Sequence, residues 1–434
     1  FAGSLIQLLY NTVDLMFVGR VLGTEASAAV GASSLIVTCI LGAFTGLSVG
    51  VGVVTAKAVG SGNIGRLNQI IHCAAGLTCV LSLVFTVLGL IMAPEFLRWI
   101  QTPADVLENA TAYLRLYLLS LISIVSYNMG SGILRALGNT KSPTLYQLAG
   151  GIANIIGNTL FICFLDWGVQ GAALATACSQ GLAAFLIIRH LCTIKTPYRL
   201  RLRQLQINAS ICGQFLLVGI PAAIQSIVIT LSNLIVQAHI NQLGIDSMAA
   251  FTAYFKVENF IYLPIMAFGQ ACSTFTSQNI GANQVDRAKQ GVKTSLFLGI
   301  TVTISASVLT LCFSDFAFGL FSKEPAVIAL GTKIAFVAYP FYFIYVFLEV
   351  YASAIRGAGK ALPAMLIVVI NMCVVRTCIL KVVLHFYPNA LGVAAIYPLT
   401  WACTGLCLFL YYKSGGWFSA QTDVARKRIS VGQR

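Results

Sequence analysis

The order of apolar and polar residues divides the chain into twelve runs, each long enough to cross a bilayer. A membrane helix needs about 20 mostly apolar residues, and each run here ends at a glycine, a proline or a charge. The runs lie at about residues 1–18, 27–56, 67–93, 110–134, 143–165, 168–191, 210–240, 247–275, 291–314, 328–352, 362–386 and 390–412. The pattern therefore predicts an all-α polytopic membrane protein with twelve transmembrane helices.

Composition and charge agree with that class. The 434 residues are 58% hydrophobic and only 9% charged, whereas soluble proteins carry about 25% charged residues. A net charge of +14 would suggest nucleic acid in a soluble protein, but the basic residues here lie in short loops between apolar runs, and we predict no nucleic-acid partner. The thirteen cysteines and four histidines show no metal-ligand spacing, so we predict no metal centre built from them.

The two halves of the chain repeat with a constant shift of 221 residues. The shift sets LGTEASAA, from Leu22, on LGIDSMAA, from Leu243, and it sets Gly138 on Gly359. Each half holds six helices, so the copies keep the same orientation and are related by a pseudo-twofold axis along the membrane normal. The repeat predicts two six-helix lobes and two further segments: an N-terminal lobe at 1–193, a cytoplasmic linker at 194–208, a C-terminal lobe at 209–413 and a basic cytoplasmic tail at 414–434.

The same alignment and the distribution of basic residues predict how the chain enters the membrane. The seventh helix starts about ten residues earlier in its repeat than the first, so we expect the first turns of helix one to be missing from the sequence. Of the 27 lysines and arginines, 19 fall on one side of the membrane and 6 on the other. By the positive-inside rule, the richer side and both termini are cytoplasmic.

One carboxylate, Asp14, stands inside the first apolar run. A lone aspartate at the centre of a membrane helix costs about 2.5–3.5 kcal/mol on insertion scales, so it is normally kept where it faces a wet cavity or a partner. Tyr10 and Gln7 precede it by four and seven residues and share its helix face. The face is a candidate site, and the alternative is that Asp14 reaches the headgroups from near the helix end.

Other polar side chains inside the first lobe lie on the fifth and sixth helices. Asn154 and Asn158 are four residues apart and share one face, and Thr176 lies on the next helix. They can turn towards Asp14, but they can also serve as interhelical packing contacts worth about 0.6 kcal/mol each.

The second lobe has four ionisable residues within its spans. Lys256 and Glu258 are two residues apart, so they point to different faces of the eighth helix, and Glu258 is expected to face a cavity. Glu349 and Arg376 are interpreted either as an ion pair within the lobe or as structural charges.

Several motifs together resemble the multidrug and toxic compound extrusion (MATE) family over the full length of the chain. They are LYNTVDLMFVGRVLGTEASAAVGASS from Leu9, AVGSGN, GSGILRALGNTKSP, STFTSQNIGANQ and SAIRGAGKALP. The resemblance implies an antiporter, not an enzyme, that exports organic, often cationic, compounds by alternating access while H⁺ or Na⁺ enters. It implies a monomer without a cofactor, whose partners are small-molecule substrates and membrane lipid. It also implies that the protein lies in the plasma membrane, here the bacterial inner membrane.

The resemblance is to the prokaryotic DinF-like branch, whose first lobe holds a cation site. That pattern falls on Gln7, Tyr10, Asp14, Asn154 and Thr176. Where the branch usually has a second aspartate, this chain has Asn158, so one carboxylate carries the charge of the site, and both H⁺ and a Na⁺ ion near Asp14 stay open as the coupling ion.

Three alternatives compete with this interpretation. A lipid-linked oligosaccharide flippase of the same superfamily would need a cationic lumen, and the spans offer only Lys256 and Arg376. An intramembrane enzyme would need a clustered catalytic constellation, and none is visible in the sequence. A channel is disfavoured by the duplicated halves and the scarcity of polar rings.

Overall fold

The computed structural model describes residues 3, 5, 6 and 23–418. These residues are almost entirely helical, and no β-strand occurs among them. Their contacts form two compact units, Phe1–Ala223 and Ile224–Arg434. The first predicted span, with Gln7, Tyr10 and Asp14, lies almost wholly outside the described residues.

The first unit contains six long helices and the beginning of a seventh. They are α1 (Gly23–Gly60), α2 (Ile64–Trp99), α3 (Ala104–Leu119), α4 (Leu121–Ala136), α5 (Lys141–Asn158), α6 (Gly168–Thr193) and α7 (Ala209–Gln242). A π-helical segment, Thr159–Phe164, continues α5. The start of α7 packs with this unit because glycines of α1 let the two backbones touch: a Cβ on Gly50 would lie 2.3 Å from the carbonyl oxygen of Phe215.

The second unit contains the remainder of α7 and eight further helices. They are α8 (Ile245–Gly281), α9 (Val285–Cys312), α10 (Ser314–Gly319), α11 (Pro325–Ala338), α12 (Tyr342–Gly357), α13 (Ala361–Val369), α14 (Arg376–Phe386) and α15 (Ala390–Lys413). A 3₁₀ turn, Tyr339–Phe341, joins α11 to α12. A π-helical segment, Ile370–Val375, joins α13 to α14.

The described helices account for eleven of the twelve predicted runs. Nine are long and apolar enough to cross a membrane by length and composition, and α3 with α4 makes a tenth if that bent pair is one span. The eleventh, α8, has 37 residues and is about 55 Å long, but it carries Asp246, Lys256 and Glu258. The prediction of an all-α polytopic membrane protein is confirmed.

Two predicted spans are interrupted at equivalent positions of the repeat, one by a bend and the other by a 3₁₀ turn. The axes of α3 and α4 differ by 43° where the Ser120 hydroxyl donates to the carbonyl of Tyr117 at 2.5 Å. In the second unit the break contains Pro340, which the 221-residue shift aligns with Leu119. Pro340 lacks a backbone donor and thereby interrupts the helix of the second unit, whereas the bend of the first unit occurs without a proline.

Small residues bring α5 and α6 close together and thereby position the polar side chains between them. A Cβ on Gly157 would lie 3.0 Å from the Cβ of Ala175, and one on Gly150 would lie 3.1 Å from the carbonyl oxygen of Ser179. Membrane helices associate through such small-residue contacts, because lipid offers no hydrophobic drive for helices to meet.

Candidate functional site

Three side chains of the first unit join α5 to α6 through hydrogen bonds. Asn158 Nδ2 donates to Asn154 Oδ1 at 3.1 Å, and Asn154 Nδ2 donates to Thr176 Oγ1 at 3.4 Å. All three side chains are buried, with at most 3% of their surface exposed. The structure therefore brings together the three residues that the sequence placed near one another.

This amide–hydroxyl chain is neutral and has both donors and acceptors. Its N–H and O–H groups can donate to a carboxylate, and its oxygens are of the kind that hard cations prefer. The carboxylate predicted to face it, Asp14, and the accompanying Gln7 and Tyr10 lie outside the described residues.

In both units a residue of the candidate site directly adjoins a π-helical segment. Asn158 is the last residue before Thr159–Phe164, and Arg376 is the first residue after Ile370–Val375. Such widened turns are rare and occur frequently at functional sites, because they re-aim side chains and loosen the backbone hydrogen-bond ladder. The π segments could not be predicted from the apolar pattern, which continues through both.

In the second unit, Glu258 of α8 is the central ionisable group. The side chain is half-buried and accepts a hydrogen bond from the hydroxyl of Tyr342 on α12. Among the described residues, no basic nitrogen lies within 4.0 Å of its carboxylate. Glu258 is thus a carboxylate held by a neutral donor and not by an ion pair.

A cluster of large aromatic side chains surrounds the hydroxyl that binds Glu258. We call Tyr254, Tyr339, Tyr342, Tyr345 and Trp401 the aromatic wall. The ring centroids of Tyr342 and Trp401 are 4.6 Å apart, those of Tyr345 and Trp401 are 5.4 Å apart, and those of Tyr254 and Tyr339 are 5.1 Å apart. Sequence reasoning missed this wall, although the run YPFYFIYVFLEVY from Tyr339 signals it.

Lys256 lies apart from Glu258, as the two-residue spacing predicts. Its side chain is exposed, and its Nζ lies 5.6 Å from the ring centroid of Phe321 in the loop that follows α10. Lys256 does not contact Glu258, so the two side chains do not form one site.

Arg376 is buried, with 4% of its surface exposed, and its described partners are neutral. Its Nη1 donates to Asn233 Oδ1 at 2.9 Å, and its Nη2 lies 2.8 Å from the Met372 sulfur. The guanidinium carbon lies 5.4 Å from the ring centroid of Tyr397. Among the described residues no carboxylate lies within ion-pair distance of this guanidinium.

The considered ion pair between Glu349 and Arg376 is not formed. Glu349 instead accepts from Arg356 Nη2 at 2.8 Å, and Ser353 bridges the two by donating to the carboxylate at 2.9 Å and accepting from the guanidinium at 2.8 Å. The spacing of seven residues on one helix, two full turns, was visible in the sequence. Gly269 of α8 leaves room for the carboxylate, since a Cβ there would lie 2.7 Å from Glu349 Oε1.

No group of three or more His, Cys, Asp or Glu side chains that could hold a metal ion occurs in the part of the chain that the structure describes. The site consists of a neutral polar network in one unit and, in the other, a carboxylate in an aromatic wall with a separate buried guanidinium. These groups can bind and exchange ions and organic molecules.

Comparison with known proteins agrees with this geometry. A family model described as MatE matches residues 1–160 and 221–380. The chain is 28% identical over 427 residues to the probable multidrug resistance protein YpnP of Bacillus subtilis (strain 168), covering 96% of this chain and 93% of the relative. It is 25% identical over 380 residues to the FAD transporter of Shewanella oneidensis, covering 86% and 82%.

Solved structures show the same fold. One, described as the outward-facing conformation of a multidrug resistance MATE family transporter of the MOP superfamily, matches with a TM-score of 0.89 at 21% identity, covering 97% of this chain and 94% of that one. The family match and the shared fold define a multi-pass membrane transporter, which is not an enzyme. The chain belongs to the multidrug and toxic compound extrusion (MATE) family.

Proposed function

We propose that the chain is a multidrug efflux transporter that exports organic compounds in exchange for inward movement of H⁺ or Na⁺. The observation that carries the proposal is Glu258, a half-buried carboxylate in an aromatic wall whose described partner is the neutral Tyr342 hydroxyl. A carboxylate with no basic nitrogen within 4.0 Å among the described residues, on which Arg376 acts only from a longer distance, can hold a proton, a sodium ion or a substrate cation. Competition among these ligands couples their movements, because each shifts the population of states towards the one it prefers.

Four rings of the aromatic wall are buried, and Tyr345 is the partly exposed member that supports contact with an organic substrate. Aromatic faces attract cations at distances up to about 6 Å, and they also provide apolar contact to flat molecules. Glu258 supplies the charge and Tyr342 orients it. This combination favours organic cations as the first substrate class.

The second part of the proposal is that the first lobe contains the site that binds the coupling ion. We assign the coupling site to Asp14 with Gln7, Tyr10, Asn154, Asn158 and Thr176, and the observed hydrogen-bond chain through Asn158, Asn154 and Thr176 supports it. Loss or gain of a cation at Asp14 changes which of these bonds survive. One charge entering down 100 mV is worth about 2.3 kcal/mol, which sustains roughly a 50-fold gradient of a neutral substrate at one-to-one exchange.

A second substrate class follows from Arg376. Its guanidinium has neutral hydrogen-bond partners and also interacts electrostatically with Glu258, so an anionic substrate would compete with that carboxylate for its positive charge. The relative from Shewanella oneidensis that is named as an FAD transporter suggests flavin nucleotides as the test molecule. The lipid-linked oligosaccharide flippase receives less support, because Lys256, the other basic residue that the sequence placed in a second-lobe span, is exposed.

Placement in the membrane belongs to the same proposal. We assign both termini to the cytoplasm on the excess of lysine and arginine in the loops of that side. We further assign the chain to a bacterial inner membrane, where it acts as a monomer.

The test is transport by the full chain in proteoliposomes under separately imposed pH and sodium gradients. Ethidium serves as the cationic substrate and FAD as the anionic one. We expect one of the two gradients to drive ethidium movement, and Glu258→Gln to reduce it at least tenfold while protein yield stays near wild type. Glu324→Gln, which removes an exposed carboxylate of the same unit, is the matched control and should leave transport unchanged.

Three results would overturn parts of this proposal. Equal ethidium movement with and without gradients would show that transport is not coupled to H⁺ or Na⁺. Wild-type transport by Glu258→Gln removes the second-lobe carboxylate from the mechanism. Gradient-driven FAD movement that Arg376→Gln abolishes, without ethidium movement, replaces the cationic substrate class by the anionic one.

A further inference from the structure

An open apolar groove lies between α12 and α15 of the second unit. Its volume is about 330 Å³, and its lining consists of Ile344, Phe347, Tyr351, Ala402, Gly405, Leu406 and Phe409. Ala402, Leu406 and Phe409 are exposed along its α15 side. Gly405 lines the base of the groove and leaves space there, because a Cβ at this position would meet atoms of α12 only at 3.8–3.9 Å.

A cation lies at one end of this groove. Lys413 follows Phe409 by one helical turn, and its exposed Nζ lies 5.9 Å from the centroid of the Phe409 ring that lines the groove. Among the described residues no carboxylate lies within 4.0 Å of that ammonium. The groove is therefore apolar along its length and positive at the end of α15.

Aromatic residues of the kind found at the depth of lipid headgroups lie beside this positive end. Trp417 is buried after the end of α15, where its ring is stacked on Tyr412 with centroids 4.9 Å apart and its indole N–H donates to the Tyr412 carbonyl at 2.9 Å. Tryptophan and tyrosine are enriched where membrane meets water, and lysine reaches the headgroups from the same depth.

The length of the groove matches one leaflet. Ala402 and Phe409 are seven residues apart on a helix, which is about 10 Å, and Lys413 lies about 6 Å further along. The sum is close to half of a hydrocarbon core about 30 Å thick. An acyl chain that follows the groove thus brings its phosphate to the ammonium of Lys413.

We propose that this groove binds an anionic phospholipid, with one acyl chain along α15 and the phosphate paired with Lys413. Charge favours a lipid over the chain's own tail at 419–434, which has four basic residues against the single Asp423 and therefore carries the same net sign as Lys413. That tail also has no apolar run longer than two residues, so it offers little to an apolar groove. The lipid site is separate from Glu258 and Asp14, and it stands whether or not the proposed coupling is correct.

The test is native mass spectrometry of the purified full chain titrated with palmitoyl-oleoyl phosphatidylglycerol or the corresponding phosphatidylcholine. We expect the wild type to retain at least one phosphatidylglycerol about fivefold more tightly than phosphatidylcholine, the effect of one lysine beside an anionic headgroup. Lys413→Gln should abolish that preference while weak binding of both lipids remains. Gly405→Leu, and independently Ala402→Trp, should abolish retention of both lipids by filling the groove.

Matched controls and competitors make the outcomes decisive. Lys293→Gln removes another exposed lysine of the second unit, and Gly31→Leu adds a side chain where no heavy atom lies within 4 Å of the new Cβ; both should bind like wild type. Equal retention of the two lipids by wild type overturns the proposal, as does full phosphatidylglycerol binding by both groove-filling variants. Displacement of the lipid by soluble glycerophosphoglycerol alone would show a phosphate site without an acyl-chain site and would also overturn it.

Discussion

The ends of α4 and α12 are equivalent in the repeat and both carry an arginine, but the two arginines have different partners. Arg135 and Arg356 are related by the 221-residue shift. In α12, Arg356 is neutralised by Glu349 at 2.8 Å with Ser353 between them. In α4, the position equivalent to Glu349 is Asn128, and Arg135 Nη1 donates to Ser131 Oγ at 2.5 Å.

The comparison shows that equivalent positions of the sequence repeat can differ in their electrostatics. The carboxylate of Glu349 is buried and requires a partner, whereas the amide of Asn128 satisfies itself by donating to the Ile124 carbonyl at 2.9 Å. Among the described residues no carboxylate lies within 4.0 Å of Arg135. We infer that α12 depends on its ion pair for stability and that α4 does not depend on an equivalent one.

The largest effect is expected when the pair in α12 is broken. Glu349→Gln keeps the side-chain volume but leaves the half-buried Arg356 without its counter-charge, and breaking a buried ion pair costs about 3–5 kcal/mol. The free energy of unfolding in mixed micelles should fall by that amount. Asn128→Ala, the control at the equivalent position, should lower it by about 1 kcal/mol, the worth of one neutral hydrogen bond. Equal losses in the two variants would contradict the difference between the units.

A smaller effect is expected from the helix contact beside the pair. A Cβ on Gly357 would lie 2.5 Å from the carbonyl oxygen of Ser273 on α8, so Gly357→Ala should force α8 and α12 apart at a cost of about 1–3 kcal/mol. The repeat places Ala136 at this position in α4, which already accommodates a methyl group. Ala136→Gly should change stability by about 1 kcal/mol or less. Thermal unfolding of both variants measures the contrast, and an unchanged Gly357→Ala protein would refute it.

The smallest effect is expected at the arginine of α4. Arg135→Gln strands no carboxylate among the described residues, so it should lower the free energy of unfolding by about 1.5 kcal/mol or less, the worth of the bond to Ser131. Arg356→Gln leaves Glu349 buried and unpaired and should cost about 3–5 kcal/mol. Unfolding of the two variants under identical conditions compares the two decreases in the free energy of unfolding. A decrease for Arg135→Gln as large as that for Arg356→Gln would contradict the difference between the two helices.

Most of the fold could be predicted because the apolar runs and the repeat are both properties of the sequence. The helices extend beyond the runs, as α2 does at Ile64–Trp99 against a predicted 67–93, because backbone hydrogen bonds continue into the polar interface where the hydropathy signal ends. The break at Ser120 was missed because serine is common in membrane helices and its hydroxyl rarely interrupts one.

The candidate site could be predicted less completely. Helical spacing on α5 placed Asn154 and Asn158 on one face, since i, i+4 spacing fixes a shared face. Thr176 lies on α6, and only the family resemblance grouped it with them. As a partner of Glu349 we considered Arg376 on another helix and not Arg356 on its own helix. Which arginine Glu349 meets depends on how helices rotate about their axes. The residues that surround Glu258 come from three helices, and no single run shows that they meet.

The central claim is that a first-lobe carboxylate couples cation entry to export, and Asp14→Asn tests it most directly. The variant keeps the side-chain volume but can no longer titrate or hold a cation by charge. In proteoliposomes we predict that Asp14→Asn shows normal substrate counterflow without a gradient but gradient-driven efflux only at background level. The control Asp105→Asn, which removes an exposed carboxylate of the same unit, should keep both activities. Gradient-driven efflux at the wild-type rate in Asp14→Asn would contradict the account and leave Glu258 as the coupling carboxylate.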